Sequence, residues 1–87
     1  MWQKLTDCGK QLNVNFRLRQ TVEDADIYVT EYVIKEIEFD QYELQLTGKT
    51  KNGLVVQADH TEVLEYSCAD LLKHQFEVWS EVSNPEL

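Results

Sequence analysis

Glu36-Ile37-Glu38-Phe39-Asp40-Gln41-Tyr42-Glu43-Leu44-Gln45-Leu46 decides the fold. Ile37 and Phe39 share one parity, and the apolar series then restarts at Tyr42, Leu44 and Leu46, one step out of phase. Side chains of a strand alternate between its two faces, so a phase change needs a tight turn, here at Asp40-Gln41. Two strands are expected, at about 27–39 and 42–50. Both parities of the first are apolar around Tyr32 to Ile34, which calls for a bulge or bend.

The surrounding elements follow from this hairpin. Asn52-Gly53 tolerates positive φ at both residues and predicts a second tight hairpin, leading into a strand at about 54–58. A strand at about 62–66 follows. Upstream, Val14, Phe16 and Leu18 alternate with Asn15, Arg17 and Arg19, which predicts a strand at 13–19. Trp2, Leu5 and Leu12 predict a helix over 2–12. Ser67-Cys68-Ala69-Asp70 is a capping box, and Ala69, Leu72, Phe76 and Trp79 continue at helical spacing, so a second helix is expected over 68–79. The expected fold class is α+β, mainly β, in a single domain spanning 1–87: helix, five short strands, helix.

Composition narrows the function. The chain has 87 residues, and its formal net charge is −8. Such a surface repels phosphate and anionic lipid. The charge is uneven: residues 1–20 set Lys4, Lys10, Arg17 and Arg19 against Asp7 alone, whereas residues 21–46 sum to −7. Those four cations form a candidate basic patch. No apolar stretch has the length of a membrane span, and no membrane role is expected. Cys8 and Cys68 lack a C-x-x-C pairing. They are read as reduced thiols of a cytoplasmic protein, with a disulfide between them as the alternative. His60 and His74 do not combine with these cysteines at any zinc-ligand spacing, so neither metal nor cofactor is expected. No nucleophile–base pair or phosphate-cradling glycine loop is present, and the chain reads as a binding protein rather than an enzyme.

The central stretch resembles the first motif of the Sm-like proteins, the family of the bacterial RNA chaperone Hfq. Phe39-Asp40-Gln41-Tyr42 followed by an alternating strand carries the likeness. Val55-Val56-Gln57-Ala58-Asp59-His60 falls where the shorter second motif would lie. The resemblance implies a small, strongly bent five-stranded barrel behind an N-terminal helix, with the C-terminal helix as an addition. It implies a homo-oligomeric ring in which the fourth strand of one subunit pairs with the fifth of the next. It also implies single-stranded RNA bound around the pore by Gln41, Tyr42 and His60. Tyr42 would stack on a base, Gln41 would bond a base edge and His60 would donate to a base or phosphate. An apolar edge at Leu54, Val55 and Val56, with Val63 and Leu64, is the expected subunit interface.

Two plainer readings stand beside this one. Phe39 to Tyr42 serves equally as a simple turn between strands. The acidic surface also suits an interaction module or inhibitor that occupies a basic nucleic-acid-binding surface of another protein, with the carboxylates of 23–43 in contact.

Overall fold

The computed structural model describes residues 1–56 and 61–80. Seven strands form one antiparallel sheet: β1 (Trp2–Lys4), β2 (Arg17–Glu23), β3 (Ile27–Glu38), β4 (Gln41–Lys51), β5 (Leu54–Val55), β6 (Val63–Ser67) and β7 (Glu77–Trp79). Two short helices, α1 (Cys8–Gln11) and α2 (Cys68–Lys73), interrupt the strand order. Across the sheet the order is β1-β7-β2-β3-β4, and β5 and β6 both pair with the outer edge of β4. The ends of this path do not meet, so the sheet is open.

Local chemistry explains the central meander. Asn52 and Gly53 both have positive φ and close the β4–β5 hairpin, as their side chains allow. The register of β3 on β4 slips between Ile34 and Glu36, leaving Lys35 as the extra residue. That bulge lets Ile34 and Ile37 both face inward, although their spacing of three would otherwise put them on opposite faces. The bend expected from the doubled apolar parity is therefore present, and it lies at Lys35.

One face of the sheet is the core. Val78, Leu18, Tyr32 and Leu46 stand opposite one another across four strands; Ile34, Leu44 and Leu64 form a second row; Ile37, Tyr42 and Tyr66 form a third. Leu5, Cys8 and Leu12 cover these rows from the α1 side, and Leu71 and Phe76 cover them from the α2 side. Each fully buried side chain of this kind contributes about 1.5–3 kcal/mol.

Several sequence expectations are corrected here. The helix expected over 2–12 is a strand followed by a four-residue helix. Trp2–Lys4 pairs with β7, a partner more than 70 residues away. Asp7 caps α1 with its side chain, and Gln11 Oε1 accepts from the backbone N–H groups of Thr6 and Asp7, at 2.6 and 2.7 Å. The helix expected over 68–79 begins as foreseen: Ser67 Oγ accepts from Asp70 N–H at 3.2 Å. It ends at Lys73, because Gln75 adopts φ 57° and closes a Schellman motif, with Phe76 N–H bonded to the Leu71 carbonyl and Gln75 N–H to that of Leu72. The strand expected at 13–19 starts later, at Arg17, because Asn13–Phe16 is a turn with Asn15 at φ 75°. Residues 20–23, which lie between the strands expected at 13–19 and 27–39, belong to β2. Of the strand expected at 54–58, Leu54 and Val55 are strand, and residues 57 and 58 lie outside the described residues.

The largest correction concerns the cysteines. Cys8 and Cys68 are disulfide-bonded, with Cα atoms 6.0 Å apart, and join the start of α1 to the start of α2. Reduced thiols were expected because 59 residues intervene; the fold brings both helix starts to one side of the sheet.

Candidate protein-interaction face

The face of the sheet opposite the core is built by the same alternation. Residues between the inward-pointing ones project to solvent, and their cross-strand partners follow from the register. The bulge at Lys35 puts Glu36 on this outer face, directly opposite Glu43 on β4. Glu43 in turn stands opposite Glu65 on β6. Three glutamates thus form a continuous row across three strands, at the strand spacing of about 4.8 Å. Glu38 and Gln41 border the row, and together these five residues line a small concavity of ≈ 80 Å³. Among the described residues, none of Glu36, Glu38, Glu43 or Glu65 makes an ion pair; the ion pairs found are Arg17–Glu31, Arg19–Glu77 and Lys51–Asp26.

The other end of the outer face is aromatic and charge-balanced. Trp2 and Trp79 meet edge to face, their centroids 5.4 Å apart. The Arg17 guanidinium lies 5.3 Å from the Trp2 ring and 5.2 Å from the Trp79 ring, and Arg19 lies 4.5 Å from Trp2. Arg17 also reaches Glu31 at 3.1 Å and Arg19 reaches Glu77 at 2.6 Å. Such cation–π contacts are worth about 0.5–1 kcal/mol each at exposed sites. They fix the β1–β7–β2 end of the sheet and tie up the charge of both arginines.

The residues singled out from the sequence are distributed as follows. Gln41 is exposed at the start of β4, opposite Glu38 and Ser67. Tyr42 faces the core and is 6% exposed, so the base-stacking role expected of it has no open ring face. Burial, and then the nearby carboxylates of Asp40 and Asp7, raise its phenol pKa. His60 lies outside the described residues. Gln41 and Tyr42 therefore point to opposite faces of β4. Of the basic patch, Lys4 and Arg19 line one open groove together with Glu23 and Glu77. Arg17 sits beside them against the tryptophans, and Lys10 is exposed on α1. Of the expected interface, Leu54 and Val55 are 74% and 86% exposed; Val63 is exposed as well, Val56 is half-buried, and Leu64 packs against the core.

Two features were not foreseen. The Trp2–Trp79 pair depends on the β1–β7 pairing, which joins the first and last strands among the described residues. Phe39 was assigned to a strand, and it instead occupies the β3–β4 turn at φ 55°, 96% exposed. The signal available was the phase change itself, which is satisfied by a turn at Phe39-Asp40 as well as by one at Asp40-Gln41.

The row of carboxylates on the outer face offers contacts to cationic groups. Among the described residues no group of three His, Cys, Asp or Glu is placed to hold a metal ion, and no helix is long and apolar enough to cross a membrane. No family model matches the chain, and no curated protein or solved structure matches it.

Proposed function

We propose that this domain is a non-enzymatic binding module whose acidic outer face covers a basic surface of another protein, such as a nucleic-acid-binding groove. The Glu36–Glu43–Glu65 row carries the reading. Like charges directly opposite each other on neighbouring strands destabilise a sheet. The fold bears that cost at two adjacent pairs, none of whose members makes an ion pair among the described residues although Lys35 precedes Glu36 in sequence, on an outer face where a partner can relieve it. Lysines and arginines of a partner would do so, with the field of a −8 chain steering the encounter. The Cys8–Cys68 bond supports work in oxidising surroundings, in place of the cytoplasmic setting expected from the sequence.

The test is a binding titration with a lysine–serine peptide at low and moderate salt. Wild-type protein binds it with a steep salt dependence. The Glu36→Gln/Glu43→Gln/Glu65→Gln variant loses most of this affinity. A charge-matched control, Glu23→Gln/Asp24→Asn/Glu62→Gln, keeps it. Equal losses in the two variants would reduce the effect to net charge and defeat the reading. Binding of uridine- or adenosine-rich single-stranded RNA at low salt would favour the RNA alternative instead.

A second reading rests on Leu54 and Val55. Their exposure on an edge strand favours strand addition by another copy of the chain, as in the ring implied by the Sm-like resemblance. Light scattering tests it: a Leu54→Lys/Val55→Thr variant becomes monomeric if the edge is an interface, and a monomeric wild type ends the ring.

A further inference from the structure

We infer that Phe39 is the apolar anchor of this interface, the side chain that enters an apolar pocket on the basic partner protein; this rests on the acidic-face reading above and specifies the partner's chemistry. Phe39 is the most exposed large apolar residue described, and it projects from a two-residue turn between Glu38 and Gln41. It also holds φ 55°, a conformation in which glycine or asparagine is at ease and a phenylalanine is strained. The fold gains nothing from the ring: it packs on no core residue, and the turn would close as well with a smaller side chain. Exposure and strain at one position, next to a row of glutamates that makes no ion pair among the described residues, form the pattern of a binding residue held at the expense of stability.

The setting selects the occupant. Glu38 and Asp40 flank Phe39 in sequence, Glu36 and Glu43 lie on the two strands that the turn joins, and Glu65 lies on β6 beside them. An exposed aromatic ring at the end of an acidic row complements an apolar pocket bordered by lysine and arginine. Aromatic anchors of this kind, surrounded by a polar rim, carry much of the energy of protein interfaces. The turn is also held in place: the Asp40 carboxylate accepts from Cys68 N–H at 3.3 Å, at the start of α2, where the disulfide is attached. Phe39 is thus presented on a braced turn, which lowers the ordering cost of binding.

The experiment uses two labelled peptides with the same number of lysines, one with serine at the intervening positions and one with leucine at several of them. Wild-type protein binds the lysine–leucine peptide about tenfold more tightly, the equivalent of about 1.4 kcal/mol. Phe39→Ser and Phe39→Asn abolish that preference and leave the lysine–serine affinity unchanged, with thermal midpoints equal to or above wild type. The triple glutamine variant weakens both peptides and keeps their ratio. A preference that survives in both Phe39 variants, or no preference in wild type, overturns the anchor while leaving the acidic-face reading intact. Absence of binding to either peptide overturns both. A wild-type dimer that Phe39→Ser converts to monomer would make a second copy the occupant and overturn the proposal.

Discussion

Cys8 and Cys68 are joined across a sequence separation of 60, and the bond closes the two capping helices over the same core. Cross-linking a loop of that length removes unfolded-state entropy worth about 4 kcal/mol at 25 °C on the chain-entropy account. A domain of 87 residues has little stability to spare. Reduction, or the Cys8→Ala/Cys68→Ala double substitution, is therefore expected to lower unfolding free energy by about 2–4 kcal/mol. Urea titration with and without reductant reads this directly; an unchanged midpoint would mean that packing alone holds α1 and α2.

Tyr32 gives the molecule an alkaline limit. Burial, with smaller contributions from Tyr66 and Glu62, pushes its pKa from 10.0 to about 12. The folded state therefore holds the phenolic proton more tightly than the unfolded chain does. This contribution is fully present below pH 10 and is lost as pH rises toward about 12. The loss is on the order of 2–3 kcal/mol for a shift of this size. Urea midpoints measured at rising pH should fall across that window, and Tyr32→Phe should flatten the fall. Equal slopes in the two proteins would show that Tyr32 ionises as freely in the fold as outside it.

Glu43 is flanked by like charge on both sides, by Glu36 and by Glu65. Replacing it with glutamine removes both repulsions and keeps the side chain's size. A gain of about 0.5–1 kcal/mol is expected, which raises the thermal midpoint by a few degrees in a domain of this size. The gain should shrink in high salt. A loss of stability on Glu43→Gln would mean that the row is internally compensated.

Phe39 should show the same exchange of stability for binding. Phe39→Gly relieves the positive φ and is expected to raise unfolding free energy by about 1 kcal/mol. Calorimetry of the two proteins checks it, and a lowered midpoint would show that the ring supports the turn.

The sequence and the structure agree where local chemistry is decisive. Asn52-Gly53 forms its turn, Ser67 caps its helix, and the doubled apolar parity of β3 resolves in a bulge. They part where a distant partner or an unusual residue takes over. Leu5, Cys8 and Leu12 have helical spacing and all reach the core, but Trp2–Lys4 is drawn into strand by β7. Gln75 ends α2 in a left-handed conformation that glycine would have signalled, and Phe76 is core while Trp79 sits in a strand. The acidic row was legible as composition only: Glu36 and Glu43 face the same way because of the bulge at Lys35, whose position depends on the register of two strands. Gln41 and Tyr42, adjacent in sequence, are separated by the same alternation that defines β4.

The most direct test of the acidic-face account is an amide chemical-shift titration of the uniformly labelled protein with the lysine–serine peptide. Shifts are expected to concentrate at residues 36–43 and 63–67, with Trp2, Arg17, Arg19 and Trp79 unmoved. Shifts spread evenly over the molecule, or centred on the tryptophan–arginine end, would contradict it.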